Sequence, residues 1–276
     1  MPELPEVEAV ARSLRPLVLG RQILRCRVLH PIAASSHTGR GAAKAAASLE
    51  LHLRGRQIVE VNRHGKYLLL HLDRGCIVMH FKFDGQLVWF DSSKITGHID
   101  VALEFKSGGA LGFVDPRHLG RVRWIAAPGD LPGLSSLGVD PLSNEFTPAR
   151  FHELLSKSRK PLKIFLLDQT RVAGIGNIYS NEALWHARLN PRCQANRLSA
   201  TEARRLHNAI VAVLQRALVC CLRPAPDFRD PKWWFQGLEK ILRVYGREGK
   251  PCNRCRQKIQ RITQGGRSSF ACTNCQ

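Results

Sequence analysis

The first ten residues, MPELPEVEAV, combine two prolines with three glutamates. If Met1 is removed, Pro2 becomes the amino terminus and its nitrogen becomes a secondary amine. The pKa of an α-amino group is about 8, roughly two units below that of lysine, so part of it is unprotonated at neutral pH. Such an amine can attack a sugar C1′ and form an iminium, while the neighbouring Glu3 moves protons. The segment therefore predicts covalent catalysis, although an incidental Met-Pro start would look the same.

Four of the nine cysteines form the pattern Cys252-x2-Cys255-x16-Cys272-x2-Cys275. Each Cys-x2-Cys pair can place two thiolates on one side of a metal, and the residues between the pairs can form a hairpin. Four thiolates leave no open coordination position, so the pattern predicts one structural Zn²⁺ and not a catalytic metal. The alternative is a set of free or redox-active thiols, which the paired spacing disfavours.

The chain is strongly basic, with 42 Lys and Arg residues against 22 Asp and Glu residues and a formal charge of +20. This balance predicts a polyanionic partner, and nucleic acid is the leading candidate because neutralised phosphates release counterions. A ribosome-associated or merely basic protein would share the composition. Arg267 lies between the two cysteine pairs, near the expected hairpin turn. We expect it to contact DNA, with a solvated basic face as the alternative.

The periodicity of apolar residues separates a strand-rich part of the chain from a helical part. Helical spacing predicts a helix over 5–19. Short alternating segments between 21 and 127, including one at 49–55, predict strands of a β-sandwich or barrel. Residues 33–48 are low in complexity and are predicted to form a flexible loop or a connection between strands.

The second part of the chain begins after a stretch rich in Pro, Gly and Ser, residues 127–148, which is interpreted as a linker. Helical pieces follow, and the longest is predicted from Ser199 to Leu222, with a capping box formed by Ser199 and Glu202. No apolar run is long enough to cross a bilayer, and no signal peptide is recognised. A cytosolic or nucleoid-associated protein is therefore expected.

The stretch DQTRVAGIGNIYSNEALWHA, residues 168–187, predicts a turn followed by a helix. Gly174 and Gly176 permit tight backbone geometry, and Asn177 is a good cap for the helix. Exposed N–H groups at such a helix start can hold a phosphate. A packing turn between two helices is an equally good interpretation.

Six motifs occur along residues 1–275 in a fixed order: MPELPEVE, HGKYLLLHL, DPRHLG, DQTRVAGIGNIYSNEAL, VYGREGKPC and the terminal cysteine pairs. In this order they resemble the formamidopyrimidine-DNA glycosylase family. Leu4 is more similar to the glycosylase branch than to the endonuclease VIII relatives, which tend to carry Gly there. The resemblance implies an α+β multidomain fold. It consists of an N-terminal β-sandwich domain with flanking helices over 1–127, a linker over 128–148, a helix-two-turn-helix domain over 149–244 and a four-cysteine zinc finger over 245–276.

The resemblance also implies an activity, that of a bifunctional DNA glycosylase and AP lyase in base-excision repair. Such an enzyme flips an oxidised base, 8-oxoguanine or a formamidopyrimidine, out of the duplex. Pro2 would displace the base at C1′, and the resulting Schiff base would undergo β- and then δ-elimination. By position, Glu3 corresponds to the proton donor and Glu6 to a supporting carboxylate. Lys66, in HGKYLLL, corresponds to a lysine that contacts DNA at the lesion and donates a proton.

The implied partner is double-stranded DNA with a damaged base, bound by a monomer in the bacterial cytoplasm at the nucleoid. Asn177 and Arg267 correspond to the phosphate clamps that flank the flipped nucleotide, and His80 to a further phosphate contact. Each of these roles is carried over from the family by position in the motif.

The residues that fill the gap left by the flipped base depart from the family pattern, which is usually Met, Arg and Phe. Here Phe83 stands where Met is expected, Arg117 is kept, and Leu119 stands where Phe is usual. Phe83 and Leu119 could supply the apolar wedge with their roles exchanged, and Arg117 could pair with the orphaned base. The preferred opposite base is left open.

The segment CLRPAPDFRDPKWWFQGLEK, residues 221–240, departs furthest, because the family has a Gly- and Thr-rich loop that closes over 8-oxoguanine. Its three prolines and the cluster Trp233–Trp234–Phe235 predict a stiffer, bulkier segment. Either these rings pack into the core, or they reshape the lesion pocket and change which base is accepted. The alternatives are therefore the same chemistry on oxidised pyrimidines, other adducts or abasic sites, and a non-catalytic damage-binding paralogue. Pro2, Glu3 and Lys66 are all present, which argues against the paralogue, since a binding protein has no need of them.

Overall fold

The computed structural model describes residues 2–35, 41–91, 98–223, 227–228, 230 and 237–276. The chain divides into two compact units. Unit 1 consists of Met1–Pro2, Glu6–Ser135 and Cys221–Gln236, and unit 2 of Glu3–Pro5, Ser136–Cys220 and Gly237–Gln276. The domain boundaries expected from the sequence stay a prediction.

Unit 1 contains two antiparallel sheets of four strands each, among the residues that the structure describes. The first sheet has the order β1-β6-β7-β5 and the second the order β2-β3-β4-β8. The strands are β1 Ile23–Val28, β2 Ile58–His64, β3 Tyr67–Leu72, β4 Cys76–His80, β5 Gln86–Phe90, β6 Val101–Phe105, β7 Ala110–Val114 and β8 Arg121–Ile125. The predicted strand-rich N-terminal part is therefore confirmed.

Helix α1, Leu4–Val18, packs its apolar stripe into the core of unit 1. Val7, Val10 and Leu14 recur at helical spacing and are buried. The chain then turns at Gly20, whose φ of +77° is readily adopted only by glycine. This helix agrees with the prediction for residues 5–19.

The segment from 33 to 55 contradicts the prediction of a flexible loop followed by a strand, because most of it forms helix α2, Ala42–Leu53. The letters LELHL alternate like a strand, which led to the wrong prediction. Leu49 and Leu53, four residues apart, are buried on one side of the helix, whereas Leu51 is 77% exposed. The alanines that precede Leu49 have the highest helix propensity of any residue, so the segment forms a helix and not a strand.

Unit 2 is helical up to its C-terminal part, which ends in a hairpin. Its helices are α4 Pro148–Ser156, α5 Leu162–Leu167, α6 Asn177–His186 and α7 Ala200–Leu222, and its strands are β9 Gln260–Gln264 and β10 Arg267–Ala271. The short helix α3, Pro132–Ser135, ends the Glu6–Ser135 segment of unit 1. The predicted capping box of α7 is present, since Ser199 N donates to Glu202 Oε2 at 2.9 Å and Glu202 N donates to Ser199 Oγ at 3.3 Å.

Helix α7 is long and apolar enough, with a mean hydropathy of 1.3, to meet the composition of a membrane-spanning helix. It was not recognised as such a run from the sequence. Half of this stretch is buried inside the protein, and Leu206, Ile210 and Leu214 have at most 1% of their surface exposed. A core helix of a soluble protein meets the same criteria, so the feature is weak evidence for a membrane.

Candidate functional site

The carboxylate of Glu3 binds the start of helix α6 in unit 2. Its Oε2 accepts hydrogen bonds from Gly176 N at 2.7 Å and Tyr179 N at 3.3 Å, and its Oε1 accepts one from Ile178 N at 2.8 Å. Glu3 is only 1% exposed. The first N–H groups of a helix have no partners within the helix and carry partial positive charge, so a carboxylate is stabilised there. Glu3 is thereby held in one position directly after Pro2.

The two glycines of the GIG sequence let the N-terminal residues approach this turn. Gly174 has a φ of +87° and accepts a hydrogen bond from Leu4 N at 3.1 Å. A Cβ on Gly174 would lie 2.7 Å from Leu4 Cδ1, and a Cβ on Gly176 would overlap the Glu3 carboxyl group. Both positions therefore require glycine, because Leu4 and Glu3 pack directly against their backbone.

Asn177 differs from the expected helix cap. Gly176 occupies the N-cap position, no side chain caps the helix there, and Asn177 is its first residue. The N–H groups of Gly176, Ile178 and Tyr179, expected to be exposed, are bonded to Glu3 instead. The Asn177 side chain is thus not used as a cap, and its Oδ1 is buried with no hydrogen-bond partner among the described residues.

Lys163 belongs to the same site, although it was missed at the level of the sequence. It lies on α5, is fully buried, and donates from Nζ to Asn177 O at 3.2 Å. The pKa of Lys163 is lowered to about 7, mainly by burial; the charge of Glu3 opposes this shift, and the charge of Arg267 adds to it. The structure therefore brings Glu3, Asn177 and Arg267 around one lysine. The signal in the sequence is a charged residue within the apolar run LKIFLL.

The four predicted zinc ligands converge in unit 2. Their ligand atoms all lie within 4.8 Å of one another, and the Sγ–Sγ distances include 3.4 Å for Cys255–Cys272 and 3.9 Å for Cys252–Cys275. A tetrahedral Zn²⁺ with Zn–S bonds of about 2.3 Å requires sulfurs roughly 3.8 Å apart, so the four cysteines fit the ion. The hairpin of β9 and β10 lies between the two pairs, as predicted, and Arg267 begins β10.

The zinc-binding segment is tied to helix α6 by an arginine. Arg254, which lies between the first two cysteines, stacks its guanidinium 3.7 Å from the ring centre of Trp185. The same group donates from Nη1 to Trp185 O at 2.6 Å and from Nη2 to His186 O at 3.3 Å. These bonds cap the C-terminal end of α6, where a cation is favourable.

A buried carboxylate on α6 holds the chain that leads into the zinc-binding segment. Glu182 accepts hydrogen bonds from the backbone N–H groups of Arg243, Val244 and Tyr245 at 2.8 to 2.9 Å. Burial raises the pKa of Glu182, although these three N–H donors lower it. Helix α6 thus anchors the N-terminal residues at its start, through Glu3, and the segment before the cysteines along its side.

The other residues predicted to be catalytic lie in unit 1. Pro2 is buried, Glu6 on α1 is fully buried, and Lys66 is 9% exposed in the turn between β2 and β3. His80 ends β4, and its Nδ1 accepts a hydrogen bond from Lys82 N at 3.0 Å. Their roles stay predictions.

The residues expected to fill the gap in the duplex form an exposed group in unit 1. Phe83 is 50% exposed and Leu119 is 37% exposed. The guanidinium of Arg117 lies 5.1 Å from the ring centre of Phe83 and 3.3 Å from Asp84 Oδ2. The structure thus brings Phe83 and Arg117 together on the surface, as an apolar ring with a cation beside it.

A buried aspartate that the sequence motifs did not single out shapes the loop carrying two of these residues. Asp115 is 1% exposed, and its carboxylate accepts hydrogen bonds from Arg117 N at 3.0 Å, Leu119 N at 2.8 Å and Gly120 N at 2.5 Å. Aspartate commonly bonds the backbone two residues on, so the sequence DPR contains a signal for this turn.

Two predictions fall outside the described residues. The aromatic cluster Trp233–Trp234–Phe235 lies there, as does Met1. That the cluster reshapes the lesion pocket stays a prediction.

Three family models match the chain. They are the formamidopyrimidine-DNA glycosylase N-terminal domain over residues 1–122, the formamidopyrimidine-DNA glycosylase H2TH domain over 137–221, and the zinc finger found in FPG and IleRS over 249–276. The third match and the converging sulfurs confirm the predicted four-cysteine zinc site. The α+β fold with a helical H2TH region is likewise confirmed.

Curated relatives match along the whole chain. The formamidopyrimidine-DNA glycosylase of Moorella thermoacetica is 38% identical over 267 residues, covering 95% of this chain and 94% of the relative. That of Chloroflexus aurantiacus is 38% identical over 283 residues, covering 100% of this chain and 98% of the relative.

Solved structures of Lactococcus lactis Fpg are similar to this chain. A complex with abasic-site DNA has a TM-score of 0.87 and 30% identity, covering 99% of both chains. A complex with N7-benzyl-Fapy-dG DNA has a TM-score of 0.87 and 31% identity, covering 100% of this chain and 99% of the other. A DNA partner was expected from the sequence, and these similar proteins are DNA complexes. With three family models matched across most of its length and relatives more than 30% identical, the chain belongs to the formamidopyrimidine-DNA glycosylase family of DNA-repair enzymes.

Proposed function

We propose that this protein is a base-excision-repair DNA glycosylase and AP lyase that removes oxidised purines, 8-oxoguanine and formamidopyrimidines, through a Schiff base on Pro2. The family supports the reaction class, and curated relatives carry the name formamidopyrimidine-DNA glycosylase. The substrate range and the role of each residue are our proposal for this chain.

The reaction begins when the unprotonated amine of Pro2 forms a bond to C1′ of the damaged nucleotide. The N-glycosidic bond breaks, and the base leaves with the electron pair and takes up a proton. The Pro2 nitrogen loses its proton, the C1′–O4′ bond then opens as the ring oxygen takes up a proton, and an iminium remains. Loss of a C2′ proton then expels the 3′ phosphate, and a second elimination expels the 5′ phosphate. A gap with phosphates on both sides results.

Glu3 is the proposed proton carrier at the sugar ring oxygen and the amine, because it is covalently next to Pro2. The observation that carries the proposal is the geometry of this carboxyl group, which three backbone N–H groups of α6 hold in place. A general acid must be positioned before the reaction, and fixed donors keep it there without reorganisation. Glu6 is the proposed supporting carboxylate, and Lys66 the proposed second proton donor.

The remaining site residues are proposed to hold DNA. Asn177 and Arg267 would bind phosphates beside the flipped nucleotide, and Lys163 holds the backbone there by donating from Nζ to Asn177 O. His80 would bind a further phosphate. A separate set, exposed on unit 1, would occupy the gap in the duplex; it consists of Phe83, Arg117 and Leu119.

Oxidised pyrimidines are the second candidate substrate class. One solved relative, Lactococcus lactis Fpg, was determined with an oxidised pyrimidine-containing DNA, and it has a TM-score of 0.85 and 31% identity to this chain. The same Pro2 chemistry would serve both classes, because the bond broken is the same. We further propose that the protein acts on nucleoid DNA in the bacterial cytoplasm.

Borohydride trapping tests the mechanism, because borohydride reduces an iminium to a permanent protein–DNA cross-link. The zinc-loaded full chain is mixed with duplexes that carry 8-oxoguanine, a formamidopyrimidine, an oxidised pyrimidine or an abasic site. A form that retains Met1, with its amine blocked, and a Pro2→Gly variant are run beside it. Intact mass determines whether Met1 is absent from the active preparation.

We expect cross-links with the native protein and none with the Met1-retained form, and the yields across the panel rank the substrates. Glu8→Gln is a matched control, since Glu8 lies on α1 with Glu6 and its carboxylate bonds to Arg12 and Arg63. This variant should still form the cross-link. Tight DNA binding with no cross-link on any duplex would instead identify a non-catalytic damage-binding protein.

A further inference from the structure

A cavity of about 240 Å³ lies on one face of the second sheet of unit 1. Its lining includes Tyr67, His80, Lys82, Arg121, Arg123 and Leu131. None of the roles proposed above uses the three Lys and Arg side chains of this set. His80 is already proposed to bind a DNA phosphate, so a ligand in this cavity would share that residue with the proposed DNA site.

The sheet register explains why these side chains converge. Tyr67 pairs with His80 across β3 and β4, and His80 pairs with Arg121 across β4 and β8. Directly opposite residues point to the same face and lie about 5 Å apart. Arg123, two residues along β8, shares the face of Arg121. The strands thus place Tyr67, His80 and the two arginines on one face of the sheet.

The positive charges in the cavity are only partly offset, because the charge of Asp115 acts on Arg121. No described carboxylate forms an ion pair with Lys82, Arg121 or Arg123. The pKa of Lys82 is lowered by burial and then by the charges of the two arginines, so the three groups are close enough to repel one another. An anion in the cavity would remove this repulsion.

Arg121 has hydrogen-bonding capacity that the protein does not use. It is 8% exposed, and its Nη1 donates to His118 O at 2.9 Å and to Gly120 O at 2.6 Å. Its Nε has no partner among the described residues. A buried donor without an acceptor is costly, and a guanidinium is suited to phosphate oxygens.

The rest of the cavity is apolar. Tyr67 is half-buried, and burial raises the pKa of its hydroxyl while the charge of Arg123 lowers it, which places the ring beside that cation. Leu131 and Pro132 complete this wall. Pockets for drug-sized ligands measure roughly 300–1,000 Å³, so this slightly smaller cavity suits a ligand of the size of one nucleotide.

We propose that this cavity binds a single nucleotide unit, with its phosphate on Lys82, Arg121 and Arg123 and its sugar or base against Tyr67 and Leu131. The nucleotide is either free or part of a DNA strand, and the chemistry of recognition is the same. The proposal goes beyond the function proposed above, since it requires neither Pro2 nor a damaged base.

The test is calorimetric titration of the zinc-loaded full chain at low ionic strength, with deoxyadenosine 5′-monophosphate and with inorganic phosphate. The variant is Lys82→Gln/Arg123→Gln, which leaves the buried Arg121 in place. The matched control is Arg74→Gln/Lys106→Gln, which removes two exposed cations from the same unit. Thermal unfolding verifies that each variant is folded.

We expect the nucleotide to bind more tightly than inorganic phosphate. We expect the Lys82/Arg123 variant to bind it at least about tenfold more weakly, since two charge-assisted hydrogen-bond donors are lost. The control should stay within about twofold of the native affinity, as screened surface charges contribute little. Equal nucleotide affinity in the Lys82/Arg123 variant would overturn the site. Equal affinity for inorganic phosphate would overturn the assignment to a nucleotide.

A competition experiment distinguishes the two sources of the nucleotide. If an undamaged duplex displaces deoxyadenosine monophosphate from the native protein, the cavity takes a nucleotide of the DNA strand. If both bind together, it takes a free nucleotide. Borohydride trapping on abasic DNA is run on the same variants. This distinguishes a wrong assignment of the nucleotide-binding cavity from a wrong assignment of the Schiff-base mechanism.

Discussion

Glu3 in unit 2 and Asp115 in unit 1 are both buried carboxylates that accept three backbone hydrogen bonds. They differ in the distance along the chain to their donors. The donors of Asp115 are two to five residues away, whereas those of Glu3 are 173 to 176 residues away. Asp115 therefore shapes its own loop, and Glu3 joins the beginning of the chain to the middle.

This difference decides what each carboxylate can do. Hydrogen bonds from nearby residues give one loop a defined shape, and at Asp115 they leave Leu119 partly exposed to solvent. Hydrogen bonds from distant residues can instead hold a residue near the chain terminus in one position. At Glu3 they position the residue directly after the proposed nucleophile, Pro2. Loss of Asp115 should affect one loop, while loss of Glu3 should affect both the fold and the chemistry.

Glu3→Gln is the strongest test of the comparison. The amide has one acceptor oxygen, so its NH₂ group faces an N–H of α6 and leaves that donor unsatisfied. We expect a loss of about 1–3 kcal/mol in the free energy of unfolding and a fall of about 10²- to 10⁴-fold in the rate of base removal. Urea denaturation and single-turnover cleavage measure the two. A variant with native cleavage rates would refute the proposed role of Glu3.

Gly176→Ala changes the start of α6 that binds Glu3 and leaves the Glu3 carboxylate itself unaltered. The added Cβ would overlap the Glu3 carboxyl group, and overpacking of this kind costs about 1–3 kcal/mol. We expect lower unfolding free energy and slower cleavage. Gly129→Ala is the control, since a Cβ there meets no atom within 4 Å. Equal behaviour of the two alanine variants would contradict the close approach of Glu3.

Asp115→Asn should have a smaller and more local effect. One of the N–H groups of Arg117, Leu119 and Gly120 loses its acceptor, at a cost of about 1–2 kcal/mol. Hydrogen exchange should accelerate in residues 115–120 and stay unchanged at the start of α6. Asp84→Asn, which alters only the exposed partner of Arg117, is the control. Faster exchange at α6 would show that the two carboxylates are not independent.

The pH dependence of stability should also separate the two sites, because only Glu3 has a lysine of lowered pKa beside it. The pKa of Lys163 is about 7 in the folded chain, below its value in the unfolded chain. Between pH 7 and about 10 the unfolded chain therefore binds more protons, and stability rises with pH, by at most about 1.4 kcal/mol per pH unit. Arg121, beside Asp115, remains charged throughout this range.

Lys163→Met removes this titration and keeps the length of the side chain. We expect the rise in unfolding free energy between pH 7.5 and 8.5 to shrink in the variant, as measured by urea denaturation at each pH. Lys157→Met, at an exposed position of unit 2, is the control and should keep the native slope. An unchanged slope in Lys163→Met would show that this lysine is charged in the fold up to higher pH.

Features carried by local patterns could be predicted from the sequence. The capping box at Ser199, the helix over 5–19 and the paired cysteines each depend on residues close together in the chain. Helix α2 could not be predicted with the same rules, because LELHL fits a period of two and also places Leu49 and Leu53 on one helical face. Short apolar runs of this kind are ambiguous by periodicity alone.

The bonds between distant residues could not be predicted from either partner. Nothing near Asn177 indicates that Glu3 would take the N–H groups of its helix, and a phosphate was the equally good expectation. Only the spacing of Gly174 and Gly176 hinted at a close approach. Lys163 gave a clearer signal, as a cation in an apolar helix, since a buried lysine needs a partner.

The tie between residue 3 and the start of α6 also sets an order for synthesis. A ribosome adds about 5–20 residues per second, so the partners of Glu3 emerge on the order of 10 to 30 s after it does. During that interval the amino terminus is available to the enzymes that remove the first methionine. A nascent or truncated chain that ends before α6 has no means of placing Glu3, even if its β-strands have formed. Reactivity toward DNA should therefore appear only late in translation, when α6 has formed and the rest of the DNA-binding protein is nearly complete.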